Sequence, residues 1–95
     1  MPAVVEVLYW REIPAVVKAR GPFGSARVEL PERFARAIRS AAKKLGITSE
    51  ADNLDQYYWK TEGDREGSAE RCAETFAGEL DAAYPPSRLR VLVEL

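Results

Sequence analysis

The chain of 95 residues contains no histidine and only one cysteine. Without histidine it lacks the commonest general base and the commonest metal ligand at neutral pH. A lone cysteine, Cys72, excludes an intrachain disulfide and the paired-cysteine spacing of zinc fingers. Neither sign of charge is in excess: 14 basic and 15 acidic side chains leave a formal net charge of −1. So small a net charge supplies no global field to steer the molecule onto nucleic acid or an anionic membrane. No apolar run approaches the roughly 20 residues of a membrane-spanning helix. The stretch from Met1 to Glu6 has no basic segment of the kind that opens a secretory leader, so a cytoplasmic protein without membrane contact is expected. No nucleophile–base pair, ligand cluster or phosphate loop stands out, and the expectation is a non-enzymatic chain with no cofactor and no metal.

What is present is the composition of a globule, 46% hydrophobic and 31% charged, enough for one modest core in a single domain over residues 1–95. The most β-favouring run is Val4 to Arg20, dense in valine and aromatic residues and divided by Pro14. It predicts a strand from Ala3 to Trp10, a connection over Arg11 to Pro14, and a returning strand from Ala15 to Arg20. Val5, Val7 and Tyr9 would face one side, and Val4, Glu6, Leu8 and Trp10 the other. Apolar residues on both faces suit an interior strand or one covered on both sides. Gly21 to Ser25 reads as a turn and Ala26 to Leu30 as a third strand.

Pro31 suits the first turn of a helix whose apolar stripe is Phe34, Ile38, Ala41 and Leu45, closed by Gly46. Ser49 to Asp52 predicts a capped short turn ending near Asp55, and Gln56 to Thr61 a strand that Gly63-Asp64 ends. A second long helix is expected from Asp64–Ser68 to Tyr84, on the stripe Ala69, Cys72, Ala73, Phe76, Leu80, Ala83 and Tyr84, stopped by Pro85-Pro86. The tail from Ser87 to Leu95 alternates, with Leu89, Val91, Val93 and Leu95 on one face, and predicts a last strand; Leu89, Leu92 and Val93 would also suit a short helix. The order β-β-β-α-β-α-β gives an α+β two-layer sandwich, a mostly antiparallel sheet of four to five strands with two helices on one face.

Two sets of side chains compete for a role. Lys18, Arg20 and Arg27 flank the glycine-rich turn and could hold an anion, although solvated edges of a plain hairpin explain them as well. Gly21-Pro22-Phe23-Gly24 has the spacing of a KH-domain clamp, but that clamp joins two helices and here the flanks read as strands. Arg33, Arg36, Arg39, Lys43 and Lys44 read as the solvent side of the first helix. Cys72 sits on an apolar stripe and reads as core. Of Tyr9, Trp10, Tyr57, Tyr58 and Trp59, several are expected to line the core beneath the helices, but consecutive residues point to opposite faces, so at least one of Tyr57, Tyr58 and Trp59 should be exposed or covered by a partner. Those left outside favour a protein contact, with Arg11 beside them as an interface anchor. A nucleic-acid stacking platform would need a basic groove, and Glu6, Glu12, Glu62 and Asp64 lie close in sequence. The expected partner is a protein, a second copy of the chain among the candidates.

The segments Tyr9-Trp10-Arg11-Glu12-Ile13-Pro14-Ala15 and Leu30-Pro31-Glu32-Arg33-Phe34, with the aromatic segment Tyr57 to Lys60 and the Gly63-Asp64-opened alanine- and glutamate-rich helix, resemble a small bacterial family known only as "virulence factor". The resemblance covers nearly the whole chain. Tyr57 to Lys60 is more aromatic than the family's usual segment, and the tail after Pro86 is more strand-like. The resemblance carries no catalytic residue across. Relatives joined to helical-repeat scaffolds imply a protein-interaction role. Stand-alone members beside one-carbon genes imply an alternative, an accessory or small-ligand-binding (anion or nucleotide) subunit of a methyl-transfer system.

Overall fold

Valine-rich β1 (Pro2–Trp10) is the second-from-edge strand on which the sheet of this computed structural model is built. The structure describes residues 1–94. β2 (Ile13–Gly21) and β3 (Gly24–Glu29) follow as hairpins, and β4 (Tyr57–Glu66) adds to the free side of β1. All neighbours are antiparallel and the order is β3-β2-β1-β4. Four helices complete the α+β fold: α1 (Glu32–Lys44), α2 (Glu50–Leu54), α3 (Ala69–Ala83) and α4 (Pro86–Val93). The predicted class and the three-strand meander stand, with four helices in place of two.

The core forms where alternation brings Ala3, Val5 and Val7 beside Ala19 and Val17, all essentially inaccessible. α3 lies over β1, β2 and β3 and contributes Cys72, Ala73, Ala77 and Leu80. α1 packs on β2 with Phe34, Ala37, Ile38 and Ala41, and α4 packs on α1. Ser68 caps α3 by accepting the Arg71 amide, and Ser49 caps α2 by accepting that of Asp52.

Four expectations are corrected. Pro14 lies inside β2, and the turn is Arg11-Glu12 alone. Opposite Leu8 and Tyr9 the pairing jumps from Val16 to Pro14, so Ala15 is an extra residue. A bulge is a place where a strand accepts proline, because no ladder hydrogen bond is lost. Gly63 does not end β4: the pairing jumps from Thr61 to Gly63, Glu62 bulges, and Gly63 takes φ 122°, a value open to glycine. The strand therefore runs to Glu66 and the following helix starts only at Ala69. Trp10, expected opposite Tyr9, is 1% exposed and belongs to the core.

The fourth correction is the tail, which is not the expected strand but the helix that Leu89, Leu92 and Val93 also suited. Pro86 occupies the first helical turn, Leu89 is buried, and Leu92 and Val93 follow it at helical spacing against the core. Val91, which a strand would have buried with Leu89, is 60% exposed. Leu95, expected on the strand's apolar face, lies outside the described residues.

Candidate partner-binding surface

The aromatic segment at the start of β4 meets the end of β1, pairing Tyr9 with Tyr58 and Trp10 with Tyr57. The Tyr9 and Tyr58 rings stack with centroids 5.6 Å apart. The bulge brings Glu62 to the Tyr9 hydroxyl, which donates to its Oε1 at 3.2 Å. Burial first, and the neighbouring Glu62 carboxylate second, hold the Tyr9 hydroxyl well above the ordinary tyrosine range. Trp10 donates its indole N–H to Asn53 Oδ1 at 3.0 Å, tying α2 to the sheet. Arg11 adopts φ 53°, rare for a residue with a side chain, and is held there from both ends. Its amide donates to the Gln56 carbonyl at 3.0 Å and its guanidinium to Gln56 Oε1 at 3.1 Å.

Of the six aromatic and arginine residues expected at a partner surface, Trp10 is therefore inside. Tyr9 and Tyr57 are half-buried, and exposed Arg11 is engaged within the chain. Tyr58 and Trp59 are 48% and 43% exposed, and they point to opposite faces of β4. Trp59 pairs with Leu8, which pairs in turn with Val16; Glu6 pairs with Lys18 and Lys18 with Arg27. All of these share the sheet face opposite the valine core, and apart from Val16 they are exposed or half-buried. The cations expected to flank the turn thus lie on one surface with Trp59. Lys18 reaches over β1 until its Nζ is 6.0 Å from the Trp59 ring centroid. Arg20 is engaged by Glu6, Nε donating to Oε1 at 2.7 Å.

Three features escaped the sequence reading. Arg33, expected on the solvent side, clamps the end of α3: its Nη2 donates to the Asp81 carboxylate, to the Asp81 carbonyl at 2.7 Å and to the Tyr84 carbonyl at 3.1 Å. Phe34 beside it meets the Tyr84 ring edge-on at 6.1 Å. Phe23, at the tip of the β2–β3 hairpin, is 93% exposed. A shallow groove of about 730 Å³ runs between α1, the chain leading to α2, and the β2–β3 end of the sheet. Ala35, Ile38 and Ala42 form its α1 wall, and their spacing of three and four residues was the signal available in the sequence. Among the described residues no three His, Cys, Asp or Glu side chains are grouped to hold a metal ion, and no helix is long and apolar enough to cross a membrane.

These placements give the shared motifs a physical meaning. Tyr9 to Ala15 builds the bulged hairpin that α2 and β4 clasp, and Leu30 to Phe34 fastens α1 to the end of α3. The family model described as "Virulence factor" matches residues 8–93, from just before the first motif to the end of α4. The chain belongs to the virulence factor family. A relative in Bacillus subtilis (strain 168), the uncharacterized protein YpgR, is 37% identical over 83 residues, which are 86% of this chain and 20% of YpgR. The virulence factor domain thus spans about a fifth of that relative's length. No solved structure matches it with significance.

Proposed function

We propose that this virulence factor domain is a non-enzymatic, cytoplasmic docking module, and that it meets a protein partner through the Trp59 face of its sheet. The observation that carries the reading is a division of labour among the aromatics. Tyr9 and Trp10 are spent on the fold, with hydrogen bonds to Glu62 and Asn53, whereas Trp59 keeps 43% of its surface open on a strand that pairs on one side only. A tryptophan left in water on a sheet face is the residue type that dominates binding energy when a partner covers it. Sharing its domain with a relative more than four times as long is consistent with a module that works beside other protein surfaces.

The test is capture from extract of the native host with tagged wild-type protein and a tagged Trp59→Ala variant, both shown to be folded by circular dichroism. A stoichiometric protein retained by wild type and lost from the variant supports the reading. A partner held equally by both refutes the placement of the surface.

A further inference from the structure

We infer that the Trp59 face recognises a short acidic protein segment, one carboxylate meeting Arg27 and an apolar side chain meeting Trp59. The inference rests on the docking reading above and adds the chemistry of what docks. Lys18 and Arg27 are direct cross-strand neighbours on β2 and β3. Like charges in that position destabilise a sheet. Neither cation is in an ion pair among the described residues, while Arg20 on the same face is neutralised by Glu6. Lys18 leans away from Arg27 toward Trp59, leaving the Arg27 guanidinium exposed and free on the outer strand. Its planar fork is shaped for a carboxylate.

The sheet also sets the spacing. From β3 to β4 there are three inter-strand gaps. At about 4.8 Å each they span roughly 14 Å, and because Arg27 sits across from Thr61, two residues along β4, it lies roughly 16 Å from Trp59, the reach of between four and five extended residues. Leu8 and Val16 form an apolar floor in the Trp59 row, which ends at Glu29, and Arg27 flanks that end on the same face of β3. A continuous polyanion fits less well. Glu6, Glu29 and Asp64 stand on this same face and match Lys18, Arg20 and Arg27 one for one, so a phosphate chain would meet as many carboxylates as cations. A discrete acid at the Arg27–Lys18 pair meets two cations with Glu29 as the carboxylate beside them that is unengaged among the described residues, since Glu6 is held by Arg20.

The experiment is amide chemical-shift mapping of the 95-residue protein with three probes: acetyl-Leu-Ser-Gly-Ser-Glu-amide, whose Leu and Glu share one face when extended, the same peptide with Lys for Glu, and an octamer of uridylate. The acidic peptide is expected to move the Arg27, Lys18 and Trp59 indole signals, and to bind several-fold more weakly as salt rises from about 50 to about 300 mM. The basic peptide should leave these signals in place. Arg27→Glu should weaken the acidic peptide about tenfold or more, the usual cost of reversing a contact charge. The same variant removes a like-charge pair, so its Tm should be unchanged or higher, which separates lost recognition from lost folding. Equal response to both peptides, preference for the uridylate octamer, or shifts confined to the α1 groove would each overturn the inference. Its failure is distinguishable from failure of the docking reading. If Arg27→Glu still captures the native partner and Trp59→Ala does not, only the acidic-segment inference falls; if both capture it, the surface itself is wrong.

Discussion

Replacing Trp10 by phenylalanine probes the joint on which the hairpin, α2 and the core converge. The side chain is 1% exposed and its indole N–H donates to Asn53 at 3.0 Å. Phe lacks that donor, a loss of about 1 kcal/mol. It also leaves space where the second ring lay, and partial truncation of a buried side chain costs about 1–2 kcal/mol, below the 3–5 of complete removal to alanine. The sum, about 2–3 kcal/mol, is a large share of the roughly 5–15 kcal/mol that holds a small domain together. At about 4–8 °C per kcal/mol, Tm should fall by on the order of 10–20 °C. Thermal and urea unfolding read the loss directly. Asn53→Ala removes the same hydrogen bond from the other side, so the two losses should be non-additive by about 1 kcal/mol in the double variant. Fluorescence gives an independent check: Trp10→Phe leaves Trp59 as the sole emitter, red-shifted and readily quenched, while Trp59→Phe leaves the buried, blue-shifted one. A Tm within 2 °C or so of wild type, or a blue-shifted emission from Trp10→Phe, would refute the placement of Trp10 in the core.

Three further outcomes follow from the same geometry. In α4, Leu89→Ala should cost about 2–4 kcal/mol and Val91→Ser close to nothing by denaturant unfolding; equal losses would return the tail to an alternating strand. Gly63→Ala should cost about 1–3 kcal/mol through backbone strain at φ 122°, although open space surrounds the position where the new Cβ would lie. The Tyr9 hydroxyl keeps its proton longer in the folded than in the unfolded chain, so its contribution is whole below the unfolded value near 10 and is lost as pH climbs through the raised folded value. Unfolding measured from about pH 9 to pH 11.5 should therefore show a steeper alkaline loss in wild type than in Tyr9→Phe; parallel curves would contradict the burial of the Tyr9 hydroxyl beside Glu62.

The α+β class and most elements were legible because valine alternation and the Phe34–Ile38–Ala41 stripe report the burial they produce. The misreadings at Pro14 and Gly63 share a cause, the local value of a chain breaker. Pro14 and Gly63 signal turns when read alone, yet each sits beside an extra residue in a paired strand, and that pairing is set by β1, a distant segment. The tail misled for another reason. Leu89, Val91 and Val93 alternate by coincidence, and only α1, by offering a surface to Leu89 and Leu92, decides between the two periods. At the candidate surface, sequence supplied the residue types but not their sorting. Trp10, Arg11 and Trp59 look alike as anchors until Asn53 and Gln56 are seen to occupy the first two. Arg33 differs from Arg36 in nothing local, and its role depends on where α3 ends.

The most direct test of this division between fold-building and partner-binding aromatics is one paired measurement, Tm and partner capture, on Trp10→Phe and Trp59→Ala. Trp10→Phe should lose more than about 10 °C of Tm and, assayed below that point, still retain the partner that wild type captures. Trp59→Ala should melt within a few degrees of wild type and retain none. The reverse pattern, a stable Trp10→Phe that no longer binds beside a destabilised Trp59→Ala that does, would contradict the account.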